Sequence, residues 1–141
     1  MKTVIQKIVV AGLVAHQGKI LIIQRSSDDD VFPNLWELPS GKREFFERSE
    51  DAAVREVKEE TGIDVKTVMP VSVFEFKVEK PNEIRDATQI SFLVKPIGKP
   101  KVKLSNEHQS FTWITENELN TFNLSSETRD TISKAFKLLK Q

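Results

Sequence analysis

Between Ser49 and Gly62 the chain has neither proline nor glycine, and Glu56, Glu59 and Glu60 stand near its end at i, i+3 and i+4. Ser49 reads as an N-cap, and Glu50 and Asp51 place negative charge in the first turn, where the helix dipole favours it. Gly62 supplies the usual stop, so the pattern predicts a helix over residues 50–61. At that spacing the three glutamates project from one helical face. Glu56 and Glu60 are like charges one turn apart, which in an isolated helix costs roughly 0.2–0.5 kcal/mol. A solvated helix balanced by Arg55 and Lys58 tolerates that much. The other reading is a hard cation held between the acids. Magnesium takes oxygen ligands, uses few carboxylates, and fills its other positions with water and substrate phosphate. The chain has no cysteine, and its two histidines lie away from the acids in sequence, so soft-metal sites are poorly served.

Around this helix the pattern alternates between strands and helices. Residues 5–15 are rich in Val, Ile and Ala and read as a buried strand; His16-Gln17-Gly18-Lys19 reads as a turn, and residues 20–25 complete a hairpin. Residues 26–33 form a polar loop containing Asp28, Asp29 and Asp30, read as solvated. Residues 65–78 make one or two strands, and residues 88–94 alternate, with Thr88, Ile90, Phe92 and Val94 on one side. Residues 111–114 form another strand, Thr115 to Glu118 match a capping box that opens a short helix, and residues 126–140 read as an amphipathic helix burying Ile132, Ala135, Phe136 and Leu139. This mixture favours an α+β or α/β sandwich, expected as a single domain over residues 1–141. A formal net charge of zero gives no overall field toward nucleic acid or an anionic membrane. Without cysteine there is neither a disulfide framework nor thiol catalysis. The start lacks a signal-peptide pattern and no run reaches membrane-spanning length, so the expectation is a cytoplasmic protein.

The residues flanking the acids decide between the two readings of the helix. Gly41, Glu47, Arg55-Glu56-Val57, Glu59-Glu60, Gly62 and Ile63 follow G-x5-E-x7-R-E-U-x-E-E-x-G-U, where U is aliphatic. Seven fixed and two aliphatic positions would coincide by chance with a probability on the order of one in ten million. The pattern is the Nudix box, and with Trp36-Glu37-Leu38-Pro39-Ser40 before it and Glu107 and Trp113 after it the whole chain resembles a Nudix hydrolase of the MutT-like branch.

That resemblance implies an αβα sandwich around a central mixed sheet and a Mg²⁺-dependent hydrolase, with Mn²⁺ as a substitute, that cuts a diphosphate linkage in a nucleotide. It implies Glu56, Glu59 and Glu60 as metal ligands, joined by the backbone carbonyl of Ser40. Glu47 is the early acid of the box, which supports the loop or reaches another metal. Arg55 orients Glu56, or alternatively pairs along the helix surface with Asp51 or Glu59. Glu107 matches a position from which some relatives supply a general base or a further ligand. Arg25 and Lys42 are candidates for phosphate contacts or else solvated charges. Trp36, with Phe32, Phe74 and Phe76, is a candidate for stacking on a base or for the core. His108 adjoins Glu107 and reads as an exposed loop histidine; His16 reads as incidental.

The expected substrate is a small nucleotide, first a nucleoside triphosphate cut to the monophosphate and pyrophosphate, second ADP-ribose or a related nucleotide sugar. Oxidised-guanine specificity is disfavoured, since Ser126 stands where sanitising relatives carry an asparagine. No nucleic-acid polymer or membrane is expected as a partner. The rival from another class is a non-catalytic nucleotide-sensing module, which typically loses box carboxylates that this chain retains.

Overall fold

The computed structural model describes residues 1–141. In chain order the elements are β1 (Thr3–His16), β2 (Lys19–Arg25), β3 (Trp36–Glu37), β4 (Ser40–Lys42), α1 (Ser49–Thr61), β5 (Val65–Glu79), β6 (Glu83–Pro96), β7 (His108–Ile114), a 3-10 turn at Glu116–Glu118 and α2 (Ser126–Leu139). The sheet runs β3-β2-β1-β6-β5, with β4 also on β1 and β7 also on β2. It is mixed, because β1 and β6 are parallel from Thr3 opposite Glu83 to Val14 opposite Val94. The architecture is the expected α+β fold.

The expected hairpin is present, but its two strands pair only at Ala15–Ile20 and His16–Lys19. Gln17 and Gly18, both at positive φ, make the tight turn. Beyond it the strands part: β1 pairs with β6 and β4, and β2 with β7 and β3. β1 thus links two halves of the sheet.

Alternation along β1 and β2 divides the core between the two faces. Val10, Val14, Leu21 and Ile23 pack with Ala52, Ala53 and Val57 of α1. Ala11, Leu13, Ile20 and Ile22 pack with Ile132, Ala135 and Phe136 of α2. Gly12 lies close beneath α1: a Cβ there would lie 2.4 Å from Cγ2 of Val57.

Several elements differ in detail from the sequence reading. Helix α1 already includes Ser49; Arg48 occupies the cap position and no side chain caps it. Strand β5 is one strand with irregularities at Thr67/Met69 and Pro70/Ser72. In β6, Ile90, Phe92 and Val94 do face the α1 layer, but Ala87, Gln89, Ser91 and Leu93 are buried as well, because the strand is internal and covered on both sides. The capping box opens only a single 3-10 turn, where Glu118 accepts from the Thr115 N–H at 2.9 Å. No helix is long and apolar enough to cross a membrane.

Candidate active site

The site is assembled by α1 crossing the short strand β4. Its positions are set by two glycines. Gly62, at φ 75°, closes α1 in the left-handed conformation, its N–H donating to the Lys58 carbonyl at 2.9 Å. Gly41 lies directly under Glu56: a Cβ there would fall 2.1 Å from the Glu56 Oε2. Only a residue without a side chain leaves room for that carboxylate.

The three helix glutamates do not share one environment. Glu56 and Glu60 are turned inward and buried, whereas Glu59 remains largely in solvent. Glu60 accepts the Ser40 N–H at 2.7 Å. Burial pushes its carboxyl up to about 9, against the pull of that N–H, and the nearby charges of Glu37, Glu56 and Glu107 raise it further. Glu56 is also raised, first by burial and then by Glu59 and Glu107, while its hydrogen bond with Arg55 opposes the shift. Glu107, an exposed loop residue, therefore lies within electrostatic reach of both buried acids. Its loop is tied down by the Ser105 N–H donating to the Glu60 carbonyl at 3.1 Å and the Ser26 N–H donating to Glu107's own carbonyl at 3.2 Å.

Arg55 is the hub of the cluster. Its Nε and Nη2 grip both oxygens of Glu47 at 2.8 and 2.9 Å. Nη1 donates to Glu56 at 2.7 Å and to Glu59 at 3.2 Å, and Nη2 also reaches the Lys42 carbonyl at 3.1 Å. The fork holds Glu47 down at about 2, and the surrounding carboxylates hold Arg55 firmly charged. Both sequence-based partnerships of Arg55, with Glu56 and with Glu59, coexist here, and Glu47 is the strongest partner. Lys42, Glu44, Phe45, Arg55, Glu56 and Glu59 line an open cleft of about 520 Å³.

Donor chemistry around α1 fits a hard divalent cation: every candidate ligand is an oxygen, and a cation nearby would favour the ionised form of the buried Glu60 carboxyl. No three acidic or histidine side chains are gathered into a ready-made metal cage.

Other residues singled out from sequence lie elsewhere. Arg25 is not free for phosphate: Nη2 pairs with Asp29 at 2.6 Å, Nη1 with Glu37 at 3.2 Å, and Nε donates to the Val31 carbonyl at 2.9 Å. Asp29 is accordingly a partner of Arg25, not a solvated loop acid. Trp36 packs edge-on against Phe122, ring centroids 5.2 Å apart, beside the α2 core, and lines neither the cleft nor its neighbouring cavity. His108 is buried, not exposed, with Nε2 2.8 Å from Glu37, because it opens β7 opposite Arg25.

Glu37 was not assigned a role from sequence. It joins Arg25 and His108 and adds its charge to Glu60. It also lines a cavity of about 340 Å³ with Phe32, Phe74, Phe76, Gln89 and Asn123. One signal for it was present: a lone acid in the apolar run Trp36-Glu37-Leu38-Pro39. Phe45, 93% exposed, also lines the cleft.

Comparison with known proteins agrees with this geometry. The NUDIX domain model matches residues 6–135. A nucleoside triphosphatase NudI from Enterobacter sp. is 28% identical over 136 residues, 92% of this chain and 96% of the relative. The NudI of Klebsiella pneumoniae is 25% identical over the same shares. Among solved structures, the E. coli ORF135 protein superimposes with a TM-score of 0.73 at 28% identity, covering 99% of this chain and 92% of that one. A MutT NUDIX hydrolase from Burkholderia pseudomallei has the same fold, with a TM-score of 0.77 at 24% identity over 92% of this chain and 98% of its own. With box, cleft, fold and family match in agreement, the chain belongs to the Nudix family and is a Nudix hydrolase.

Proposed function

We propose that this pyrophosphate-cleaving enzyme acts on nucleoside triphosphates, releasing the monophosphate and pyrophosphate with the help of Mg²⁺. The observation that carries the reading is the buried pair Glu56 and Glu60 on α1, of which Glu56 lines a cleft that also presents Lys42. The NudI relatives, named nucleoside triphosphatases, favour the substrate class. So does the second cavity, whose aromatic walls Phe32, Phe74 and Phe76 suit a base and whose polar groups Gln89 and Asn123 suit its edge. Ser126 does not line that cavity, which argues against a reader of oxidised guanine at that position.

Glu56, Glu59 and Glu60, with the Ser40 carbonyl, would hold the ion; Glu107 faces the same acids and could add a ligand. Bound magnesium supplies charge neutralisation on the phosphates and a more acidic water. Glu47 acts through Arg55, since both of its oxygens are engaged there, and Arg55 in turn fixes the Glu56 carboxylate. Lys42 contributes positive charge at the cleft for the phosphates. Glu107 takes the proton of the attacking water, since it lies within electrostatic reach of the same acids and is left free when Glu56 and Glu60 hold the ion.

The test is a panel of nucleoside triphosphates, nucleoside diphosphates and ADP-ribose, incubated with Mg²⁺ and resolved by product. Triphosphates should yield pyrophosphate and dominate kcat/KM. Faster turnover of ADP-ribose would overturn the substrate assignment, and tight nucleotide binding without turnover would overturn the catalytic one. Glu107→Gln should lower kcat by about a hundredfold or more with KM little changed; a raised KM at unchanged kcat would reduce Glu107 to a binding residue.

A further inference from the structure

β5 is the end strand of the sheet. Its inner side pairs with β6 from Val65 to Glu79, and no backbone hydrogen bond outside that ladder involves residues 66–79. A long bare edge is a template for another chain, and proteins usually blunt it with proline, bulges or charge. Here the protection is uneven. The first half carries Pro70 and both irregularities, at Thr67/Met69 and Pro70/Ser72. From Val73 opposite Ile90 to Glu79 opposite Ile84 the strand is regular and has no proline. Val73 at its start is 61% exposed.

We propose that a second copy of this chain pairs antiparallel with Val73–Glu79 across a twofold axis, with Phe76 facing its own equivalent. Strand alternation puts Val73, Glu75, Lys77 and Glu79 on the exposed face and half-buries Phe74, Phe76 and Val78 on the other. In a twofold pair, residues directly opposite must lie on the same face, so only registers centred on a residue are allowed. Centring on Phe76 sets Glu75 against Lys77 twice and Phe74 against Val78 twice. Centring on Glu75 sets that acid against itself. Centring on Lys77 sets the lysine against itself and Glu75 against Glu79. Centring on Val78 keeps Lys77 opposite Glu79 but runs off the end of the strand. Centring on Phe76 leaves Val73 opposite Glu79, yet of these registers it alone combines opposite charges, matched Phe74 and Val78 and the full regular edge, and in it the lysine that would discourage other partners becomes an attraction.

The experiment is light scattering on size-separated protein, over concentrations up to about 1 mM, the weak end of measurable association. The wild type should show a concentration-dependent dimer. Glu75→Lys and Lys77→Glu should each weaken it by about tenfold or more, since each turns two attractive pairs repulsive. Mixing the two variants should restore a one-to-one heterodimer, because Glu75→Lys then faces Lys77→Glu. Melting curves on each variant check that the fold is intact. A strictly monomeric wild type would overturn the proposal. So would a dimer that neither variant weakens, or variants that stay monomeric when mixed.

Discussion

The two helices cover opposite faces of one sheet, yet they are composed on different principles. α2 buries Thr131, Ile132, Ala135 and Phe136, three apolar groups and a threonine whose hydroxyl meets that of Ser72 at 2.8 Å. Its cap is orthodox, with the Ser125 Oγ accepting the Thr128 N–H at 3.1 Å. α1 buries Ala52, Ala53 and Val57, but alongside them Glu56, Glu60 and Thr61, and it starts without a side-chain cap. Buried carboxylates are unfavourable unless hydrogen-bonded or paired with a cation. α1 therefore forgoes stability by burying two carboxyl groups, and α2 supplies apolar burial with no such burden.

The sharpest way to break this contrast is to change one buried residue on each helix. Glu60→Gln removes a candidate ligand but also a buried ionisable group, so kcat should fall by about a hundredfold or more while the melting temperature holds or rises. Ile132→Ala should destabilise the fold by about 2–5 kcal/mol and leave kcat per folded molecule unchanged at low temperature. If the two variants exchanged these outcomes, the division of labour would be wrong.

Two glycines refine the same contrast within the α1 layer. Gly41→Ala drives a methyl into the end of the Glu56 side chain, which can swing away. Stability should change little, but a displaced carboxylate should lower kcat/KM on the order of tenfold to a hundredfold. Gly12→Ala meets the branched Val57 side chain, which has nowhere to go, and should destabilise by about 1–3 kcal/mol with a smaller effect on turnover. Chemical unfolding and steady-state kinetics on both variants separate the two.

The remaining effect is on pH dependence. In the folded chain the Glu60 carboxyl keeps its proton up to about 9, whereas unfolded it would lose it near the ordinary 4.5. The folded state therefore binds more protons across that window, and this group's contribution makes stability fall as pH rises through it. Melting temperatures from about pH 5.5 to 8.5 should decline less steeply in Glu60→Gln than in the wild type. Added Mg²⁺ should stabilise the wild type more at the alkaline end, where it no longer competes with the proton. Equal slopes in the two proteins would remove Glu60 as the source of the strain.

Local pattern in the sequence carried the elements whose causes are local. The extent of α1, its stop at Gly62, the turn at Gln17-Gly18 and the buried side of α2 follow from periodicity, φ preference and amphipathicity. Pairing between distant residues left no such mark. The parallel ladder of β1 with β6 joins segments some eighty residues apart, from Thr3 opposite Glu83, and the strands β3 and β4 are too short to show alternation. At the site, spacing placed Glu56, Glu59 and Glu60 on one helix face, but which of them is buried depends on what crosses beneath, and that is β4. Arg25 read as a free cation because its partners Asp29 and Glu37 reach it only through a loop and a neighbouring strand. His108 read as exposed because nothing local reveals that β7 begins there, against β2.

On the proposed function, the acids buried on α1 are there for a divalent cation. Equilibrium Mn²⁺ binding, followed by electron paramagnetic resonance in the wild type and in Glu56→Gln/Glu60→Gln, tests it directly. The wild type should bind the ion with release of protons, and the double variant, though folded, should bind it at least about tenfold more weakly. Equal Mn²⁺ affinity in the two proteins would contradict it.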